Sequence, residues 1–188
     1  MVSQFVSSHE VNLLSQLNFN FPEGIHAVGR LDNHSEGLLI LTTDKKVTRL
    51  LFLADTPHKR TYLVQINNIL SEENLKLLQT GIIIRIKQGV SYLTPACDVC
   101  VVEKPELVYQ HTITSTQYGQ HTWLLITLIE GKFRQVRKMM GAIRHRCKRL
   151  IRISIEDLEL GDLKPGGVKE IEEEDFFRLL KIAKPVSS

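Results

Sequence analysis

Apolar residues recur along this chain at two spacings, and the spacings predict the elements. Val47, Leu50, Leu51 and Ala54 stand at helical intervals, after Thr42-Thr43-Asp44, which carries N-cap chemistry. A helix is therefore expected from about Lys45 to Ala54, and Pro57 bars its continuation. Val136, Met139, Met140 and Ile143 fall at i, i+3, i+4 and i+7, the stripe of a second amphipathic helix. Ser71-Glu72-Glu73 opens another, with Leu75, Leu77 and Leu78 inward and Gly81 as a left-handed stop. Glu172-Glu173-Glu174-Asp175 opens a last one, where the helix dipole favours negative charge, and Phe176, Phe177, Leu179 and Leu180 anchor it.

The other spacing is that of strands. Tyr62, Val64 and Ile66 share one face of a segment beginning at Lys59. Further strands are expected at 26–28, 38–41, 82–86, 98–103, 123–129 and 149–155. The polar stretch Glu106 to His121 reads as a hairpin, and 161–167 as a turn-rich loop. Strands and helices mix without a steady βαβ alternation. The expected fold class is α+β, with a largely antiparallel sheet. Neither an internal repeat nor a low-complexity linker interrupts the chain, and 188 residues suffice for one sizeable domain or two small lobes sharing a core.

Charge changes this picture in one place. Net charge is only +3, yet Lys132 to Arg152 holds nine Lys/Arg and no acid, and Glu156 to Asp175 holds nine acids against two lysines. A basic block suggests a polyanionic partner; on charge alone, a solvated helix face is the commoner explanation. Arg134, Arg137 and Lys138 lie off the apolar stripe of their helix and are free to face such a partner.

Composition excludes several classes. No apolar run approaches the ~20 residues of a membrane helix, and no basic-then-apolar leader opens the chain. Three cysteines make no disulfide framework, which fits a reducing cytoplasm. Cys97 and Cys100 form a lone CxxC, and zinc needs more ligands than that, so two ordinary cysteines are expected. The histidines have no metal-ligand spacing, and neither GxxxxGK[ST] nor GxGxxG is present.

The stretch with most chemistry in it is Gly29-Arg30-Leu31-Asp32-Asn33-His34-Ser35-Glu36-Gly37-Leu38-Leu39-Ile40-Leu41-Thr42. Asp32 sits in a polar turn leading into an apolar run, a place where functional loops are held by rigid elements. As a carboxylate it can be a nucleophile or a base; by residue type alone it is as readily a turn or capping Asp. Asp32 with Glu36 also has the look of a glycosidase acid–base pair, a weak signal in any charged loop. Tyr62 follows two basic residues and can stack a base, or simply be a core tyrosine.

This stretch resembles the GRLDxxSEGLLLLT signature of the RsuA/RluB/RluE/RluF family of pseudouridine synthases. Lys59 to Val64 is similar to that family's KxYxV motif, and Glu130 to Met139 to its EGRxRQVRRM motif. Leu150 to Gly166 is similar to its L-x-R-x-x-I…L-x-x-L-x-P-G tail. The four matches come in order, over about residues 25–171. The resemblance implies the pseudouridine synthase fold: a single catalytic domain over 1–188 with a mixed, mainly antiparallel bent sheet flanked by helices, two lobes sharing that sheet, and an active-site cleft between them. It also implies isomerisation of a uridine in structured RNA, with no cofactor and no metal. The N1–C1′ bond breaks, the uracil turns, and a C5–C1′ bond forms.

By the same resemblance, Asp32 takes the place of the catalytic aspartate, whose first step is attack on the sugar, attack on the base or promotion of a glycal. Tyr62 takes the place of the tyrosine on the target base. Lys132 corresponds to the cation paired with the aspartate, and a neighbouring cation favours a carboxylate's charged form. Arg30 corresponds to the residue filling the gap left by the flipped nucleotide. Beside the resemblance, the basic helix with Arg134, Arg137 and Lys138 is expected to supply phosphate contacts, which position without reading sequence.

Only 29 residues precede Arg30, so the S4 RNA-binding domain of many relatives is not expected. The family's Asn-Lys-Pro segment before the Ser-Gln-Phe at 3–5 is also missing. The wording of the motifs is most like the RluE-type members, which act on large-subunit ribosomal RNA. Expected, then, are a monomeric cytoplasmic rRNA-processing enzyme, a ribosomal RNA partner (23S), and no membrane or small-molecule cofactor. The rivals are a non-catalytic RNA-binding or ribosome-assembly module, a synthase acting on 16S rRNA or tRNA, and a glycosidase on free nucleosides, for which the basic block has no use.

Overall fold

A computed structural model of the chain describes residues 1–52, 56–103 and 119–184. Strands β1 (His26–Val28), β2 (Glu36–Gly37) and β3 (Ile40–Thr42) come first, then helix α1 (Lys46–Phe52). Next are β4 (Arg60–Asn67), α2 (Glu72–Thr80), β5 (Ile83–Arg85), β6 (Ser91–Leu93), β7 (Asp98–Val102) and β8 (His121–Leu128). Helix α3 (Gln135–Ala142), β9 (Cys147–Ile155), β10 (Leu158–Glu159) and α4 (Glu173–Leu179) complete the order. The fold is α+β, as the mixture of spacings predicts.

The main sheet is six-stranded, in the order β10-β9-β4-β8-β7, with β2 joining the outer edge of β9. Only the β2–β9 pair is parallel within it. β4 and β8 are central because their residues suit burial on both faces. Val64, Ile66, Leu124 and Ile126 point into the core under α2 and α3, with Val136, Met139 and Met140. Leu63, Trp123 and Ile151 cluster separately. A further core joins Val28, Ile40, Val47, Leu51, Ile155, Phe177 and Leu180, so α1 and α4 pack beneath the β1–β3 hairpin. Each such large apolar side chain contributes about 1.5–3 kcal/mol on full burial.

Several expectations need correction. The apolar run 38–41 is not one strand. Glu36–Gly37 pairs with β9 and Ile40–Thr42 turns back onto β1, so the chain crosses between two sheets at Leu38 and Leu39. Leu77 is 42% exposed and only Leu78 of its helix is fully buried. Gly81 ends that helix at φ 105°, ψ 141°, outside the left-handed helical region. A Cβ there would stand 2.3 Å from the Thr94 carbonyl oxygen, so close approach is what requires glycine. β6 and β10 escape the sequence reading because strands this short have too few residues to alternate. Leu53 and Ala54, the expected end of α1, and most of the expected 106–121 hairpin lie outside the described residues. Among the described residues, no helix is long and apolar enough to cross a membrane.

Candidate active site

The Asp32 loop is the connection of a small hairpin. Its base is the antiparallel pair β1–β3, closed at Val28 opposite Ile40. Within the connection, Ser35 N–H donates to the Asp32 carbonyl (2.9 Å) and His34 takes φ 66°, so the polar stretch folds as a tight turn. The Leu31 N–H donates to the Ser3 hydroxyl (3.0 Å), which braces the residue between Arg30 and Asp32 from the N-terminal stretch.

Beyond the turn, β2 clips onto β9 with Gly37 opposite Arg152. Arg152 is in turn opposite Tyr62 on β4. Gly37, Arg152 and Tyr62 thus form one row across three strands, and the two ends are about 10 Å apart at the usual strand spacing. Gly37 is obligatory here: a Cβ would stand 2.3 Å from the Arg152 carbonyl oxygen, and φ is 102°. Glu36 secures the same strand through a bidentate pair with Arg149, at 2.9 and 2.6 Å. With its carboxylate so engaged, Glu36 does not suit the acid–base role weighed from sequence.

Two buried arginines frame Tyr62, which is half-buried at the edge of the core. Arg152 is 4% exposed, and its Nε donates to the Leu38 carbonyl at 2.9 Å. Burial pulls its guanidinium below the ordinary arginine value, and the neighbouring Tyr62 opposes that shift. Its Nη2 has no hydrogen-bond partner among the described residues. Arg60 is 8% exposed and lies over the Phe52 ring, 4.6 Å from its centroid. Burial lowers this guanidinium too, against Tyr62 and Glu156. A Cβ at Gly29 would stand 2.8 Å from Phe52, and one at Gly131 would stand 3.2 Å from Arg60 Nη1. The Arg60–Phe52 stack therefore spaces the segment holding Arg30 against the segment holding Lys132.

Asp32 itself is half-buried, and its carboxylate has no hydrogen-bond or ion-pair partner among the described residues. Arg30 is exposed and likewise unpaired. Lys132 makes no ion pair with Asp32 in this structure. Its backbone N–H is held by the Gln135 side chain (2.9 Å), and its ammonium lies 5.1 Å from the Tyr92 ring centroid. Gln135 also donates to Glu130 (2.6 Å), which accepts from the Tyr92 hydroxyl (2.5 Å) and so raises that phenol's pKa.

The cation that contacts the tight turn itself, at His34, is Arg137. Its Nη2 donates to the His34 carbonyl at 2.6 Å, and its Nη1 to the Cys147 carbonyl at 3.4 Å. Arg134 is exposed, and Lys138 is half-buried with its ammonium 5.3 Å from the Phe133 ring centroid. Among the described residues no His/Cys/Asp/Glu group is arranged to hold a metal ion, and Cys97, Cys100 and Cys147 are free thiols.

The sequence reading passed over Arg60 and the inward role of Arg152. The signal for Arg152 was present: an Arg two residues after Leu150, on the inward side of a β-branched run.

The segment that holds this loop lies within a match to a known family. The model for RNA pseudouridylate synthase matches residues 4–142, and the chain belongs to that family. "Ribosomal large subunit pseudouridine synthase E" of Vibrio parahaemolyticus is 37% identical over 79% of this chain and 60% of that protein. The protein of the same name from Xanthomonas axonopodis pv. citri is 34% identical over 88% of this chain and 85% of that one. The chain spans about three-fifths of the length of the first curated relatives it matches. A solved structure described as a pseudouridylate synthase superposes with a TM-score of 0.72 at 22% identity, covering 89% of this chain and 65% of that one. That likeness shows the fold.

Proposed function

We propose that this protein is an RNA pseudouridine synthase, an isomerase acting on a uridine of large-subunit (23S) ribosomal RNA in the cytoplasm, as a monomer and without cofactor or metal. The names of its relatives support the RNA class, and the free Asp32 carboxylate in a loop braced on several sides carries the chemistry. A base inside folded RNA is out of reach, so the uridine is flipped, at a cost of a few kcal/mol. Arg30, exposed beside the loop, fills the gap. Tyr62 receives the uracil, and Asp32 faces the sugar–base bond.

The reaction balances internally: N1–C1′ breaks, C5–C1′ forms, the C5 proton leaves and N1 gains one. Arg137, whose guanidinium grips the loop at His34, is the better candidate than Lys132 for supporting Asp32. Lys132 and Arg134 are left to meet RNA.

Asp32→Asn is expected to lower tritium release from [5-³H]uridine-labelled ribosomal RNA by more than about a thousandfold, as for other groups central to a reaction. RNA affinity is expected to stay near the wild-type value. Equal release by the variant overturns the assignment. Wild-type protein that binds RNA without any release favours the non-catalytic RNA-binding module.

A further inference from the structure

The basic run from Lys132 to Arg152 divides in two in the folded chain. Arg149 and Arg152 turn inward, one onto Glu36 and the other onto the Leu38 carbonyl. Arg144, Arg146 and Lys148 stay exposed, and none of them makes an ion pair among the described residues. No acid lies between Gly131 and Ile155 in sequence to neutralise them locally.

Their backbone is nonetheless fixed. Asn67, at the end of β4, donates its N–H to the Arg146 carbonyl (3.1 Å), and its side-chain oxygen accepts the Arg146 N–H. The Asn67 carbonyl meets His145 Nδ1 at 2.7 Å. Arg144 takes φ 60° and its N–H donates to the Gly141 carbonyl (3.0 Å), which closes the turn from α3. A rigid backbone carrying exposed cations loses little entropy on meeting a charged ligand. The turn also adjoins the candidate active site, because one guanidinium, Arg137, contacts both His34 of the Asp32 loop and Cys147 at the start of β9.

We propose that the turn Arg144–Lys148 is an RNA-backbone contact surface, continuous with the Asp32 loop through Arg137, that holds the strand flanking the target uridine. The inference rests on the RNA-modifying reading above. Charge complementarity selects the partner: cations without acids, on a fixed backbone, beside a loop assigned to a flipped nucleotide. Its contacts are to phosphates, so it adds affinity and register rather than base choice.

The test measures binding of the full chain to unmodified large-subunit ribosomal RNA transcript over a salt series. Arg146→Glu/Lys148→Glu is compared with Lys76→Glu/Lys87→Glu, which changes net charge equally at exposed positions on other elements. Two lost phosphate contacts lower the slope of log affinity against log salt by about 1.4–1.8, so the affinity loss between about 50 and 200 mM salt shrinks roughly 7- to 12-fold. The control pair is expected to keep the wild-type slope.

An unchanged slope in Arg146→Glu/Lys148→Glu, or an equal change in the control pair, overturns the proposal. The two readings fail separately. Tritium release by wild type with an unchanged variant slope sinks the surface alone. RNA binding with the expected slope change but no release from wild type sinks the synthase reading and leaves the surface standing.

Discussion

Arg146 and Arg152 belong to one basic run, yet they do opposite things. Arg146 stands just before β9 with its side chain in water. Arg152, within β9, is 4% exposed, between the strand of the Asp32 loop and Tyr62. A guanidinium keeps its charge even when buried, so the fold bears the desolvation of Arg152 and recovers part of it through the Leu38 carbonyl. That expense is justified only if the bridge it makes is needed. Arg146 bears no such cost, and its hydrated charge stays available to an incoming polyanion. The same residue type serves as framework or as contact according to its neighbours, and sequence charge counts cannot separate the two.

The comparison can be broken at the row joining Gly37, Arg152 and Tyr62. Gly37→Ala brings a Cβ into the Arg152 backbone at a positive φ, and β2 must leave β9. We expect the largest effect here, a loss of more than about 3 kcal/mol in denaturant unfolding, with activity lost as well. A variant as stable as wild type shows that β2 does not clamp the loop.

Arg152→Met tests the buried cation itself. It removes a desolvated charge at similar volume, so stability is expected to change by no more than about 2 kcal/mol. Turnover is expected to fall roughly 100-fold, because the Leu38 carbonyl and Tyr62 lose their shared partner, with RNA affinity little changed. Full activity in this variant makes Arg152 a packing residue only.

The smallest effect repeats the comparison with thiols. Burial, with Asp98 and Glu130 nearby, pushes the Cys97 thiol up to about 11, whereas Cys100 is exposed. At pH 8, Cys100 is expected to react first with a disulfide reagent. Cys97 lags by about 100-fold, since only the thiolate attacks. The folded pKa of Cys97 is raised above its ordinary 9.0, so its contribution to stability is full below pH 9 and is lost as pH rises through 11. Equal labelling of the two thiols contradicts the burial of Cys97.

Helices were the most legible part of the sequence. The Val136-Met139-Met140-Ile143 stripe is buried as its spacing requires, because a helix presents i, i+3, i+4 and i+7 to one side whatever lies beyond. Strands were legible where period 2 ran long, as in β4, and failed at 38–41. There the run is apolar throughout, and nothing local says that the chain changes sheets. Of the candidate site residues, Asp32, Tyr62, Arg30 and Lys132 were found through motifs. The likeness could not say which cation contacts the turn at His34. Lys132 lies beside Tyr92, and Arg137 grips His34, because Gln135 holds the Lys132 backbone while α3 aims Arg137 at the loop.

By itself the sequence determined the α+β class, the helical core stripe, the family and the loop that carries Asp32, since each rests on local spacing or on an ordered motif. Tertiary structure alone decided which basic residues are buried and which meet solvent, that Glu36 is spent on Arg149, and that Gly37, Arg152 and Tyr62 fall in one row. Those outcomes depend on strand register between segments more than a hundred residues apart, as with Gly37 and Arg152. A single shift of register would turn every side chain of β9 to the other face, and nothing local in the sequence states which register wins.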